Sequence, residues 1–362
     1  YTKYGEMFDY EGKKIENGLY SFKDGAIPVS TWCLKADYAE SSSTHNTGTA
    51  RLWNNVMKTM QLDGVNVCKT EAQVAAESNQ YPYDVRTAVD GFPCVMFYRL
   101  TPQSELVFMG QYNFNNDKST ENVFGFKSIP GFDNSRTQCW ECLNNTHPLT
   151  LFKGVETFDA AWEEAYEARY PDRGSDADTT DLKKLVQWVS STATDVDLGT
   201  TITINAQVKD DTDIQFQSDD LYAANGDYQD TVENRIKKFS KEKWDYLDVY
   251  KVAAYYVYIM RFGAVDQTVK NTMLTTEGPR SSGTECKWYF INYDNDTIFG
   301  VRNDARLVYS YDITRQSTDP LIPGTYAYAG HDSTLWNNLE ADAEFMRIVR
   351  EVDRGLYTAG LT

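Results

Sequence analysis

Asp294 and Asp296 stand one residue apart, directly after the apolar run WYFI, in the segment INYDNDTIFGVRND. If the strand continues through them, alternate side chains share a face. Two carboxylates side by side repel unless a cation, a proton or an arginine lies between them. The other reading is an Asx-rich turn, because Asp and Asn favour loops through local hydrogen bonds. Upstream, AVDQTVKNTML sets Asp266 and Asn271 in a D-x4-N spacing just after a long apolar segment. Carboxylate and amide oxygens are the hard ligands Mg2+ takes, and a carboxylate beside an incoming hydroxyl can accept or orient its proton. Asp266 suits the proton; Asn271 with Asp294 or Asp296 suits the metal.

These residues need elements to position them. Alternation through TWCLKAD predicts a strand, and HNTGTARLWNNVMKTM predicts a helix with Leu52, Val56, Met57 and Met60 on one side, capped by Asn46 or Thr47. FPCVMFYRL and LVFMGQYNF, separated by TPQSE, read as a hairpin. TFDAAWEEAYEARYPD reads as a helix ending before Pro171, and DLKKLVQWVSSTA as another. Residues 194–240 read as an acidic insertion with small elements. A single long helix is expected from Lys241 through YLDVYKVAAYYVYIMRFGAV, then a strand in CKWYFINYD and a closing helix from about Leu335 to Gly355. The order predicts an α+β fold, with a smaller β-rich N-terminal lobe over residues 1–150 and a larger, mainly helical lobe over 151–362.

Composition narrows the function classes. With 362 residues, 41% hydrophobic and 14% aromatic, the chain can build a real core. A net charge of −18 argues against general nucleic-acid binding, which needs clustered Lys and Arg. No apolar run reaches the length of a membrane span. The chain starts YTKYGEMFDY without Met, which reads as a processed product or one module of a longer protein. Six cysteines are too sparse for a disulfide scaffold. Cys139 and Cys142 form a C-x-x-C with His147 behind it, but a zinc site needs a second ligand pair, so buried thiols are expected.

A loop Asp, an Asn five positions on, and a further Asp after a short strand is the grammar of the protein-kinase catalytic core. The match is not to ordinary kinases: no G-x-G-x-x-G precedes Lys35, and AVD stands where HRD would. The chain resembles the CotH family, the spore-coat kinase-like proteins, through WCLKADYAESSSTHN, GQYNFNNDK at 110–118, AVDQTVKN, and DNDTIFG at 294–300. The resemblance implies a two-lobed, protein-kinase-like fold using ATP with Mg2+ or Mn2+. It makes Lys35 and Lys118 the nucleotide-binding lysines, Asp266 the catalytic carboxylate, and Asn271, Asp294 and Asp296 the metal ligands.

Two departures matter. The acidic residue the family carries after Tyr112 is missing from Asn113, Phe114, Asn115 and Asn116, and His45 replaces an Arg. Both weaken metal and substrate positioning and point to a pseudokinase-like scaffold. The chain is also similar in style to structural proteins of large tailed phages. That implies a virion module (tail, neck or capsid-associated) with other virion or coat proteins and copies of itself as partners, and with phosphotransferase activity weak or lapsed. The alternatives are an active secreted or coat-associated protein kinase of the CotH type, placed extracellularly or on a spore-coat-like surface, and a metal-dependent carbohydrate-binding surface domain.

Overall fold

The computed structural model describes residues 7–8, 11, 13–15, 21, 28–37, 39–40, 42, 44–78, 80, 85–118, 121–126, 129–143, 158, 162–192, 231–264, 267, 271–299, 301 and 334–358. The fold is mixed α+β. A small antiparallel pair, β1 (Met7–Phe8) and β2 (Lys14–Ile15), precedes two larger antiparallel sheets. The first has the order β3-β5-β4, from β3 (Trp32–Lys35), β4 (Gly91–Tyr98) and β5 (Val107–Asn116). The second has the order β7-β6-β8-β9, from β6 (Gln138–Cys142), β7 (Tyr166–Tyr170), β8 (Met273–Thr276) and β9 (Trp288–Ile291). β6 lies before residue 150, yet it pairs with β7 and β8 from beyond that expected boundary.

Helices α1 (His45–Thr59), α2 (Glu71–Glu77) and the short α3 (Glu121–Phe124) belong to the first half. In the second half come α4 (Thr180–Ser191), α5 (Val232–Tyr246), α6 (Val249–Phe262), α7 (Thr334–Ala341) and α8 (Ala343–Thr358). Among the described residues, no helix is long and apolar enough to cross a membrane.

The second sheet separates two cores by simple alternation. Trp140, Cys142, Leu274, Trp288 and Phe290 enter the larger core with the helices. Cys139, Met273, Tyr289 and Ile291 enter a smaller one with Phe124 and Phe126. Tyr255 of α6 anchors the larger core, its ring 4.9 Å from Phe290 and 6.0 Å from Trp53 of α1. In α8, Phe345, Ile348, Val349, Val352 and Leu356 make the buried stripe, the spacing of an amphipathic helix. At the edge of the smaller core Gly125 has φ +70°, and a Cβ there would run into the Cβ of Ala72 in α2. Gly125→Ala is therefore expected to cost about 2 kcal/mol by overpacking and backbone strain, measurable by urea denaturation.

Four expectations need correction. The closing helix expected from about Leu335 to Gly355 is two helices, α7 and α8, broken at Asp342. Of the predicted helix TFDAAWEEAYEARYPD, the described residues are helical at 158 and 162–165, but its second half is strand β7, whose Tyr166 and Ala168 alternate into the core. The long helix from Lys241 is two helices. Leu247 has extended backbone (φ −120°, ψ 144°), and the Asp248 carboxylate accepts from Lys251 N–H at 3.3 Å, capping α6. The cap of α1 is Thr44, not Asn46 or Thr47, and it makes no side-chain cap bond. Asn46 is used elsewhere.

Candidate functional site

The site gathers where β3, β5 and β6 meet the turn after β9. The ladder aligns Lys35 with Asn113 across β3 and β5. Asp37 lies two residues past Lys35. Its carboxylate accepts from the Asn46 side-chain amide at 2.9 Å and from the Asn113 amide. Asn46 also accepts the backbone N–H of Asn295 at 2.5 Å. One amide at the start of α1 thus ties the β3 loop to the turn that carries both acidic candidates.

That turn is not a strand. β9 ends at Ile291, and Asp294 takes a left-handed backbone at φ +57°. The carboxylates therefore are not aligned by β alternation; the Asx-rich turn is the observed geometry. It is pinned from below, with Tyr258 of α6 donating to Asn295 Oδ1 at 2.6 Å. Gln267 donates its amide to the carbonyls of Tyr293, at 3.2 Å, and of Asp294. Tyr255 donates to the Gln267 carbonyl at 3.1 Å. Asn271, buried and also left-handed at φ +56°, sits two residues before the Met273↔Ile291 rung, as Tyr293 sits two residues after it. The D-x4-N segment and the DND turn are therefore neighbours. Asp266 itself lies outside the described residues.

Lys35 forms an ion pair with Asp294, and neither Lys35 Nζ nor Asp294 Oδ1 has a directed hydrogen bond among the described residues. Lys118 pairs with Glu141 of β6. Both ammonium groups lie over the Tyr293 ring, at 5.7 Å for Lys35 and 4.9 Å for Lys118. Arg169 of β7 also holds Glu141, its Nε 2.5 Å from Oε2. Burial pulls the Lys35 ammonium below its ordinary range, with Asp296 and Asp37 opposing it. Burial raises the Asp37 carboxyl to about 6, with Lys35 opposing and Asp296 adding to the rise. Asp296 is thus felt by both groups.

Glu141 and Arg169 escaped the sequence reading. Glu141 lies inside QCWECLNN, where the cysteines drew attention, and the strand explains why the carboxylate matters. Residues 139 and 141 share one face, while 140 and 142 share the other. Cys139 and Cys142 consequently enter different cores and cannot ligate one ion together. Glu141 supplies a carboxylate beside Lys118 in a site whose β5 strand lacks one. The Asn116 amide that stands in the expected acidic position is engaged structurally, accepting Asp90 N–H at 2.6 Å and donating to the Asp117 carbonyl at 2.8 Å.

Among the described residues, no three His, Cys, Asp or Glu side chains are gathered as a ready cation site. The donor chemistry still suits a hard cation. Asn113 Oδ1 is a buried oxygen with no hydrogen bond among the described residues, and such an orphaned acceptor is what Mg2+ takes up; Asp294 Oδ1 is held by the Lys35 ammonium, which a cation would have to displace. Compared with known families and curated proteins, the chain matches no family model and no curated protein.

Proposed function

We propose that the chain is a kinase-like module of the CotH type that binds a nucleotide through its phosphates and a divalent cation. The observation that carries this reading is the meeting of Lys35, from the first sheet, with Asp294, from the turn after β9. Three supports surround it. The order loop, β8, β9, acidic turn follows the kinase catalytic segment. Gln267 stitches that loop to that turn. Two ammonium groups lie against one aromatic ring, where phosphate oxygens would replace the Asp294 carboxylate as the partner of Lys35.

A bound Mg2+ or Mn2+ would supply charge neutralisation at the phosphates, held by Asp294 with Asn271 or Asp296. Lys35 and Lys118 orient the phosphate chain. Arg169 and Lys118 fix the buried Glu141 carboxylate beside them. Asp266 is assigned the proton of the incoming hydroxyl, on sequence spacing.

The test is a thermal shift with ATP, with and without Mg2+ or Mn2+. At a ligand concentration 100 times Kd, binding adds about 2.7 kcal/mol, which for a chain of this length raises Tm by roughly 3–4 °C. Lys35→Met and Asp294→Asn are expected to abolish the metal-dependent shift while still melting cooperatively. A wild-type chain with no shift at millimolar ATP and metal would remove the reading.

A second reading, a packing module of a phage virion or coat, is favoured by one observation. The far end of the β4–β5 hairpin presents large apolar side chains to solvent. Under it, Lys35→Met leaves assembly intact, and only changes to that hairpin disturb it.

A further inference from the structure

The β4–β5 hairpin projects past the sheet that roots it. β3 pairs with β5 only from Asn113 to Asn116, whereas β4 follows β5 out to Val107. Over Val107–Tyr112, β5 has β4 on one side and no described strand on the other, and β4 is outermost in the sheet. Among the described residues, the outer part of the arm therefore carries strand edges that no strand covers.

Its side chains are as unusual as its edges. Val95, Phe97, Leu100, Leu106, Phe108 and Met109 are each at least 50% exposed, with Leu100 at 87%. Taking roughly 150–250 Å² for each aromatic side chain and less for Val, Leu and Met, the exposed fractions of these six amount to about 600–700 Å². The largest apolar patch on an ordinary monomer is roughly 300–600 Å². One partner of a stable complex contributes about 800 Å².

Charge selects the occupant. The chain carries −18 overall, but residues 91–116 hold only Arg99 and Glu105 and are neutral. Two copies can approach through this neutral segment without opposing their acidic surfaces. A basic partner would find nothing on the arm to recognise, and an anionic membrane would be repelled by the body behind it. An apolar patch bordered by free edges is also self-complementary about a two-fold axis, since identical strands running antiparallel meet in identical environments.

We infer that the arm is an interface between two copies of this chain, packed arm against arm in antiparallel orientation. The inference deepens the assembly reading above by naming the occupant, and it is independent of nucleotide binding. A chain that self-associates through another surface would sink it and leave the assembly reading standing.

The experiment is sedimentation equilibrium of the chain from 1 to 100 μM, with Leu100→Glu and Phe108→Glu as variants. The wild type is expected to reach twice the chain mass. Each variant is expected to weaken association at least tenfold, with an unchanged melting temperature at dilutions where the wild type is also monomeric. A wild type that stays monomeric throughout overturns the inference, as do variants that associate as strongly as the wild type. Flotation of monomeric wild type with neutral phosphatidylcholine vesicles, abolished by the same changes, would assign the arm to lipid and overturn it equally.

Discussion

A Lys243→Ala variant is expected to lose about 3–5 kcal/mol of folding stability, the range for removing one partner from a buried charge pair. The Lys243 side chain is 0% exposed. Its ammonium lies 2.9 Å from Asp342 Oδ2 and 2.5 Å from Glu344 Oε2, and it donates to the Ser240 carbonyl at 2.6 Å. Asp342 is buried at the break between α7 and α8, where its other oxygen caps α8 by accepting Glu344 N–H at 2.9 Å. The truncation would strand that carboxylate in the core without its counter-charge. The pair itself need not be net stabilising against an apolar replacement; the penalty comes from the orphan. Urea denaturation of Lys243→Ala and of the double variant Lys243→Ala/Asp342→Asn separates the two. The double variant should recover part of the loss. A single-variant loss under 1 kcal/mol would mean that the ammonium does not sit between these carboxylates.

Stability is expected to peak near pH 5 and to fall as pH rises toward 7.5. Burial raises Glu242 and Glu277 from 4.5 to about 7, with Lys238 and Lys251 respectively opposing, and raises Asp37 to about 6. Because these carboxyls hold protons more tightly when folded, the folded chain binds more protons than the unfolded one between the two sets of values. Stability then declines as pH rises through that window and is level above it. At 1.36 kcal/mol per pH unit, Glu242 and Glu277 set an upper bound of roughly 3 kcal/mol apiece.

Glu344 and Glu40 act in the opposite sense. The Lys243 hydrogen bond lowers Glu344. For Glu40, burial pushes up, but the hydrogen bonds from Ser42 and His45 outweigh it. Their stabilisation is complete above about pH 4.5 and lost below, which closes the acid side. Calorimetric melting at constant ionic strength should give a higher Tm at pH 5 than at pH 8. A flat or rising profile across that range would contradict the burial of Glu242 and Glu277.

Local pattern disclosed much of the framework. Strands β3 and β9, helices α1 and α4, and the β4–β5 hairpin all follow from local residue type and spacing, strand formers between turn residues or apolar residues at helical intervals. What stayed hidden depended on partners distant in sequence. EARY in β7 has helical propensity, but pairing with β6 puts it in a sheet. The break at Leu247 depends on a bridge to Trp288 and a backbone bond from Asp248 N–H to the Trp288 carbonyl at 2.9 Å. Its only local trace is Asp248 in an N-cap position. At the site, spacing pointed to Asn271, Asp294 and Asp296, the family resemblance pointed to Lys35, and the fold brings Lys35 against Asp294. Glu141 and Arg169 carry no motif of their own; two neighbouring strands had to be placed side by side before their charges could be seen to meet.

The division of the C-x-x-C pair between two cores also governs how the chain meets oxidants. All six cysteines are free thiols. Those of Cys68, Cys139 and Cys142 have essentially no exposure, and burial raises each thiol's pKa, that of Cys139 to about 12, far from the thiolate that reacts. Cys139 and Cys142, pointing to opposite sides of β6, have no route to each other while the sheet stands. Cys33 and Cys94, half-buried on the first sheet, are met first. The motif that most looks like redox chemistry in the sequence is, in the folded chain, chemically silent.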